Sequence, residues 1–310
     1  MKILFLSPFR KNQQEIRSGI VWGLEANGHE VSRFCPYLYN KNELKDLFFQ
    51  KIKTFQPHII FSYNVKILPS ECFENLKEFK PKPEIIFCYG DYRAQIEPWL
   101  QNISPFIHTL LISNSEQIEY FKKFGFNKVL EFHIGVDPIL FPKEKREDID
   151  IIFGGNNYGN FFPLSRERSK FILDVKRKYN LEIYGRGWGK GSQPFIQNEP
   201  AYVNVLAKAK ISLGFNQFDA QNYYTRRLWF SLLSGTCHLT RYIPNMERDF
   251  KNWKHLVWFQ SNDEAFQNIE YLLLRKGERQ EIGKAGQELV LSHHTWKHRF
   301  EQLFEELNEK

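Results

Sequence analysis

Long apolar runs are missing from this 310-residue sequence. No stretch approaches the roughly 18 to 20 consecutive apolar residues that a membrane-spanning helix needs, so we expect any membrane contact to be peripheral. The opening M-K-I-L-F-L run is soon interrupted by Pro8 and Arg10, too early for a signal peptide. Together these absences predict a cytoplasmic protein.

Cysteine is scarce, and metal-binding spacings are absent. The cysteines are far apart and form no C-x-x-C pair, which favours free thiols over disulfides or a zinc site: Cys35, Cys72, Cys88 and Cys237. His294 and His298 have the i, i+4 spacing of one helical face, but H-T-W-K-H lacks the glutamate of the H-E-x-x-H zinc motif. We therefore expect no bound metal.

Two common phosphate-binding motifs are also missing. The sequence has neither G-x-G-x-x-G nor G-x-x-x-x-G-K-[ST], which removes the main support for a Rossmann dehydrogenase or a P-loop nucleotide hydrolase. What remains is a globular composition, with 42% hydrophobic residues, 25% charged residues and a net charge of +7. This positive charge favours acidic partners such as nucleotides, phosphorylated lipids, anionic glycans or nucleic acid.

The first half alternates short apolar runs with amphipathic segments. The apolar runs predict strands at 2–6, 30–34, 58–62, 84–88, 109–113 and 128–132. One of the intervening helices should start at a capping box formed by Ser113 and Glu116 and end at Gly125. This alternation is typical of a parallel sheet with helices on both faces.

The charged segment 141–150 is the candidate linker between two such halves. Beyond it, strands are predicted at 151–153, 181–184, 211–215, 236–240 and 255–259, and helices at about 164–178, at about 201–208 and from 224. We therefore predict two α/β domains, residues 1–143 and 144–310, with a cleft between them.

Polar residues follow three of the predicted strands of the first half. Sites in parallel α/β sheets lie at the carboxyl ends of the strands, so we interpret these loops as one side of the cleft. The candidate residues are Ser7, Arg10, Gly19, Asp91, Arg93 and His133. A single loop of this kind could be a solvated turn, but three at one sheet edge favour a site.

The segment 222–236 combines two adjacent arginines with an apolar helical run that ends at Gly235. The start of such a helix has unpaired N–H groups and a partial positive charge, which add to the charges of Arg226 and Arg227. The segment therefore predicts an anion site, most simply for phosphate. The alternative is that one arginine pairs with a carboxylate elsewhere and the other is solvated.

Several segments of the second half resemble one family. They are I-I-F-G-G-N-N-Y, L-E-I-Y-G-R-G-W, A-K-I-S-L-G-F-N, T-R-R-L-W-F-S-L-L-S-G-T-C-H-L-T and H-H-T-W-K-H-R-F. Their order and spacing resemble the glycosyl transferase group 1 proteins of GT-B fold, especially the branch of the CgeB-like spore-maturation proteins. The first half is similar more loosely, through L-I-S-N-S-E-Q-I-E-Y-F-K-K-F-G-F and I-G-V-D-P-I-L-F.

The resemblance implies an α/β protein of two Rossmann-like, doubly wound domains that face a cleft, with a C-terminal helix packing back toward the first domain. It also implies a glycosyltransferase without a metal or other cofactor, whose donor is a nucleotide sugar, most simply a UDP-sugar, bound to the second domain. The acceptor, a glycan, a lipid-linked compound or another hydroxyl compound, would bind mainly to the first. The residues that match donor-side segments, or lie beside them, are Asn156, Asn157, Arg166, Tyr184, Gly185, Gly187, Trp188, Asn216, Tyr224, Thr225, Arg226 and Arg227.

Two carboxylates expected from the resemblance are missing. Many group 1 transferases carry two glutamates separated by seven residues around this helix, and the second commonly holds the donor ribose. The matching positions here are Asn222 and Phe230. We therefore expect the ribose to be held in another way, by Tyr223, Tyr224 or Asn216.

The catalytic candidates are Arg227 and Asp91. Arg227 would stabilise the charge that develops on the leaving diphosphate. An inverting enzyme needs a base for the acceptor hydroxyl, and Asp91, at a predicted strand end, is the first choice, with His133 second. In a retaining enzyme, Asp91 would instead contact the acceptor or cap its loop.

Two other functions remain open. The same fold could glycosylate modified bases in DNA, because the positive charge and the aromatic residues permit nucleic-acid binding, although no nucleic-acid-binding module is recognisable. The chain could also be a non-catalytic module that binds nucleotide sugars or glycans, in which case the missing glutamates would record lost activity.

Overall fold

A computed structural model of the protein describes residues 1–6, 19–92, 95–142 and 144–309. The chain divides into two units, one made of Met1–Gly135 with Trp296–Lys310, the other of Val136–Thr295. The predicted residues Ser7, Arg10 and Arg93 lie outside the described residues. No helix in the described ranges is long and apolar enough to span a membrane.

The first unit contains a six-stranded parallel sheet in the order β2-β1-β3-β4-β5-β6. Its strands are β1 (Lys2–Leu6), β2 (Glu30–Phe34), β3 (Ile59–Tyr63), β4 (Glu84–Tyr89), β5 (Thr109–Ile112) and β6 (Val129–Glu131). The helices between them are α1 (Gly19–Ala26), α2 (Lys41–Phe55), α3 (Ser70–Glu74), α4 (Pro98–Ile103) and α5 (Ile118–Lys122). All six predicted strands are confirmed, with each end within two residues.

The second unit contains a five-stranded parallel sheet in the order β11-β10-β9-β7-β8. Its strands are β7 (Ile149–Gly154), β8 (Leu181–Tyr184), β9 (Ala209–Gly214), β10 (Cys237–Arg241) and β11 (Val257–Phe259). Its helices are α6 (Ser165–Lys178), α7 (Glu199–Leu206), α8 (Arg226–Leu233), α9 (Asn262–Leu274) and α10 (Lys276–His293). The predicted strands are again found within two residues of their expected ends.

Both faces of the first sheet are buried, as a parallel sheet requires. In β1, Leu4 and Leu6 belong to one apolar cluster, while Ile3 and Phe5 belong to another. Successive residues of a strand point to opposite faces, so an unbroken apolar run such as I-L-F-L supplies both clusters. This is why near-continuous apolar runs were sufficient to predict the sheet.

The last helix of the chain, α11 (Trp296–Asn308), belongs to the first unit. Its residues Trp296, Phe300 and Leu303 are buried in the cluster that also contains Ile3 and Phe5. It lies against α1 so closely that a Cβ on Gly23 would come 2.6 Å from the Trp296 carbonyl carbon. The C-terminal helix therefore completes the core of the N-terminal unit.

Two local predictions are wrong, and one is confirmed. The helical segment after β5 has Asn114 rather than Ser113 as its N-cap, without a side-chain capping bond. His294 and His298 do not share one helix, since α10 ends before His294 and α11 begins after it. The cysteines are free thiols, as expected: Cys35, Cys72, Cys88 and Cys237.

Candidate functional site

Two strand ends of the second unit lack side chains where they meet. Strands β7 and β9 pair with Phe153 opposite Leu213, so the next residues, Gly154 and Gly214, end the two strands side by side. A Cβ on Gly154 would lie 2.1 Å from the hydroxyl oxygen of Tyr202, and one on Gly214 would lie 2.5 Å from Oγ1 of Thr240 and 2.6 Å from Nε2 of His238. Polar atoms thus occupy the space that a side chain at either glycine would need. We call this place the glycine notch.

Helix α8 begins at this same sheet edge. It connects β9 to the parallel strand β10, so its N-terminus lies on the side of the strands' carboxyl ends. Thr225 is the N-cap in extended conformation and makes no side-chain capping bond. The first-turn N–H groups therefore keep the partial positive charge of a helix N-terminus, which favours an anion.

The two arginines of this first turn have different surroundings. Arg226 is exposed, pairs with Glu199 at 3.0 Å and has its guanidinium carbon 5.5 Å from the centre of the Phe230 ring. Arg227 is partly buried and has no hydrogen bond or ion pair with any residue that the structure describes. The expected alternative thus applies to Arg226, which is paired, whereas Arg227 is available for a ligand.

A second, buried arginine lies close to Arg227. Arg168 on α6 is fully buried, donates to the backbone oxygen of Asn156 and lies 5.7 Å from the centre of the Phe153 ring. Burial, together with the charge of Arg227, lowers the pKa of Arg168 to about 9. Neither guanidinium has a carboxylate partner among the described residues, so their repulsion would be relieved by a bound anion.

A buried polar network holds the imidazole of His238 in the notch. Its Nδ1 is 2.8 Å from the hydroxyl of Ser212, which also contacts the hydroxyl of Ser231 on α8. Burial, together with the charge of Arg227, lowers the pKa of His238 to about 3, so the ring is neutral at physiological pH. The notch therefore contains an uncharged imidazole on which the charge of Arg227 acts.

The loops after β7 and β8 are joined by hydrogen bonds. Asn156 accepts from the backbone N–H of Arg186 at 2.9 Å, and the N–H of Asn157 donates to the Arg186 carbonyl at 2.8 Å. A Cβ on Gly185 would lie 2.1 Å from the Gly155 carbonyl oxygen, so only glycine permits this approach. The predicted residues Asn156, Asn157 and Gly185 are thus brought together, each with a structural role in holding the two loops.

Other predicted donor residues are engaged within the unit. Trp188 is 7% exposed, and its indole N–H donates to the Gly155 carbonyl at 2.6 Å. Tyr184 donates to Glu182 at 2.9 Å. Gly187 has a φ of +81°, a left-handed conformation that favours glycine.

The remaining predicted donor residues flank α8 or α6. Tyr224 is 1% exposed and donates to Asp249 at 2.8 Å. The Asn216 amide donates to the Tyr223 carbonyl at 2.7 Å, which fixes the loop before α8. Arg166 is exposed in the first turn of α6. Tyr224 and Asn216 are thus engaged within the unit, whereas the guanidinium of Arg166 faces solvent.

The two positions where glutamates were expected are structural. Asn222 is fully buried with a φ of +54°, which asparagine tolerates better than most residues. Its amide oxygen, in the orientation that satisfies both ends of the amide, accepts from Arg248 at 2.7 Å. Phe230 is 3% exposed and packs with its ring centre 6.3 Å from that of Tyr202.

In the first unit, the described acceptor candidates lie on separate loops and on a helix. Asp91 is exposed and lies two residues after β4. Burial raises the pKa of Cys88, and the negative charge of Asp91 raises it further. His133 is 8% exposed, two residues after β6, with Nε2 3.3 Å from Glu131. Gly19 is the first residue of α1. Their roles in binding or catalysis stay predictions.

Sequence reasoning missed the residues that surround Arg227. Tyr202, Arg168 and His238 come from α7, α6 and β10, and no motif links them. One signal was available, since Ser212 and His238 are polar residues within predicted strands, and such residues need partners when buried. No cluster of three or more metal-ligating side chains occurs within the described ranges.

The comparisons with known proteins agree with this architecture. Residues 166–305 match the glycosyl transferase-like family. No curated protein sequence matches the chain.

Many solved structures match this chain, and the three that follow are among those that match over almost its whole length. Sucrose-phosphate synthase from Thermosynechococcus elongatus is 11% identical with a TM-score of 0.65, covering 99% of this chain and 98% of that one. HepE from Anabaena, in complex with UDP and glucose, is 10% identical with a TM-score of 0.61, covering all of both chains. A glycosyltransferase from Rickettsia africae is 12% identical with a TM-score of 0.62, covering 100% of this chain and 99% of that one.

At these identities the structural likeness establishes the fold, and the family match adds support for glycosyl transfer in general. The predicted fold class is confirmed. The protein has the GT-B fold of glycosyltransferases, and the greater part of its second half matches a glycosyl transferase-like family.

Proposed function

We propose that the protein is a glycosyltransferase that takes a sugar from a nucleotide sugar, most simply a UDP-sugar, and transfers it to an acceptor hydroxyl. The observation that carries the proposal is Arg227, a partly buried guanidinium without a protein partner among the described residues, in the first turn of α8. The leaving nucleoside diphosphate gains negative charge in the transition state, and a fixed cation with helix N–H groups stabilises that charge. The related fold of HepE, which was solved with UDP and glucose, supports this assignment.

Protein groups would supply the positive charge in this scheme, so we propose that the reaction needs no bound metal. Arg227 would contact the diphosphate, and the charge of the nearby Arg168 would add to the positive potential. Asp91, exposed after β4, is our candidate for the base that deprotonates the acceptor. The acceptor would be a glycan, a lipid-linked compound or another hydroxyl compound, and we place the chain in the CgeB-like branch.

A second function has one specific observation in its favour. Asn222 and Phe230 are buried and packed where the resemblance leads one to expect glutamates. A chain that lacks those carboxylates could bind nucleotide sugars without turning them over. This non-catalytic module is the competing proposal.

Donor hydrolysis separates the two proposals. The protein is incubated with UDP-glucose, UDP-galactose, UDP-N-acetylglucosamine, GDP-mannose and dTDP-glucose, with and without simple sugar acceptors, and release of the free diphosphate is followed by mass spectrometry. A transferase should release the diphosphate slowly from at least one donor and faster with an acceptor. Binding without release would favour the module, and no binding of any donor at millimolar concentration would refute both.

A further inference from the structure

The Thr240 hydroxyl at the glycine notch donates to the Arg241 carbonyl, but two other uncharged polar groups there are not engaged in this way. They are the hydroxyl of Tyr202 and Nε2 of His238, on side chains that are 8% and 3% exposed. Within the described part of the chain, neither atom has a hydrogen-bond partner, although both side chains are more than nine-tenths buried. Neither atom is among the fully enclosed polar atoms that lack a partner, so each can still be reached by solvent or by a ligand. Two such groups at one place favour a ligand that completes the notch.

The direction of the His238 ring follows from the network beneath it. Ser212 lies opposite His238 in the β9–β10 register, and its hydroxyl binds Nδ1 at 2.8 Å. The other ring nitrogen therefore points away from Ser212 and lies over Gly214, two residues nearer the carboxyl edge. Ser231 contacts the same network from α8, and Arg227 lies one helical turn before it on the same face. Nε2 is thus directed to the edge at which Arg227 is located.

Tyr202 approaches the same edge from α7. Its hydroxyl oxygen lies where a Cβ of Gly154 would be, beside the end of β9. Its ring packs on Phe230 of α8, one turn after Arg226. Burial raises the pKa of the Tyr202 phenol, and the positive charges of Arg227 and Arg226 partly oppose this rise, in agreement with a hydroxyl near the first turn of α8.

The chemistry of these groups selects the ligand. Arg227 brings a positive charge, the phenol is a hydrogen-bond donor, and a neutral imidazole donates through one nitrogen when the other accepts. Two guanidinium groups repel a cation, while a tetrahedral phosphate offers several acceptor oxygens to donors arriving from different directions. Because the Tyr202 hydroxyl and Nε2 of His238 occupy the space over the two glycines, a compact group such as a terminal phosphoryl would contact these two atoms rather than the glycines.

We infer that Tyr202 and His238 are binding residues for the terminal phosphate of the nucleoside diphosphate, alongside Arg227. This inference rests on the proposed function, since it concerns the same diphosphate. It assigns two side chains that no sequence motif links, and it gives a reason for the glycines that end β7 and β9, which leave room for those side chains.

The test compares the affinities of UDP and UMP, measured by titration calorimetry. Tyr202→Phe removes one oxygen atom and His238→Leu removes both ring nitrogens, whereas His238→Gln keeps a donor near the position of Nε2. We expect Tyr202→Phe and His238→Leu to bind UDP roughly ten-fold more weakly, the scale of a lost hydrogen bond to a charged group, with UMP affinity nearly unchanged. His238→Gln should recover part of the loss.

A matched control is Tyr179→Phe. The Tyr179 hydroxyl, at the end of α6, donates to Glu270 on α9 at 2.9 Å. This variant should leave both affinities unchanged. If wild-type protein binds UDP and Arg227→Ala weakens it, but Tyr202→Phe does not, the inference fails while the proposed function stands. Equal losses for UDP and UMP would also overturn it, since the terminal phosphate would not be involved. Wild-type protein that binds no UDP would refute both.

Discussion

The contrast between Arg226 and Arg227 gives the sharpest prediction. The two residues are adjacent and chemically identical, but Arg226 is exposed and paired with Glu199, while Arg227 is partly buried without a partner in the described chain. A lost charge-assisted hydrogen bond costs about 1.5 to 3 kcal/mol, so Arg227→Ala should weaken UDP binding by roughly 10- to 150-fold. Arg226→Ala removes an exposed ion pair, for which less than about 1 kcal/mol, or roughly five-fold, is expected.

The assay is titration calorimetry with UDP at physiological ionic strength, with urea unfolding of each variant as a control for folding. Arg227→Ala should not lower the free energy of unfolding, because the charge it removes contributes to the lowered pKa of Arg168. Unchanged UDP affinity in Arg227→Ala, or a larger loss in Arg226→Ala, would refute the assignment of the diphosphate to Arg227.

Two further predictions concern stability. The pKa of His238 is about 3 in the folded protein, below its ordinary value of 6.5, so the unfolded chain takes up this proton first as the pH falls. Stability should therefore decrease between about pH 6.5 and pH 3 by up to ~1.4 kcal/mol per pH unit, and His238→Leu should show a shallower decrease in urea unfolding at pH 7, 6 and 5. Arg279 is 2% exposed, pairs with Glu147 at 2.8 Å and donates to the Leu272 carbonyl at 2.5 Å. Arg279→Met leaves the Glu147 charge without this partner, so it should lower the free energy of unfolding, measured with urea, by about 3 to 5 kcal/mol. The double variant Glu147→Gln/Arg279→Met should recover part of that loss, and equal stabilities of Arg279→Met and wild type would contradict the role given to this buried pair.

The strands could be predicted because their signal is local. The apolar run of β1 has no polar interruption, and a run of that length bounded by polar residues indicates a strand buried on both faces. The predicted start of α8 at residue 224 is also close to the observed start at Arg226. The arginines at that start could be recognised because the helix dipole and the charges act within one turn of the chain.

The remainder of the candidate site could not be predicted, because its contacts join distant residues. Tyr202 meets Gly154 across 48 positions of sequence, and His238 meets Ser212 across 26. Trp188 is a further example. It was expected to contact the donor from a glycine-containing loop, but it is buried and its indole N–H donates to the Gly155 carbonyl. Which of two adjacent arginines is paired also depends on Glu199 in another helix.

Local rules failed where tertiary packing decided the outcome. The capping box predicted at Ser113 was wrong because that residue is 3% exposed at the end of β5, and Asn114 begins the next segment instead. The i, i+4 spacing of His294 and His298 suggested one helix, but α10 ends at His293 and α11 begins at Trp296. A pattern of spacing alone does not show where a helix stops.

The position of α11 has a consequence for the order of events during synthesis. Trp296, Phe300 and Leu303 close one apolar face of the first sheet, beside Ile3 and Phe5. A ribosome releases this helix only after all of residues 136–295, so that face remains open while the whole second unit emerges. The second unit has its own sheet and apolar cluster and can fold during that time. The unit that is begun first is therefore the one completed last.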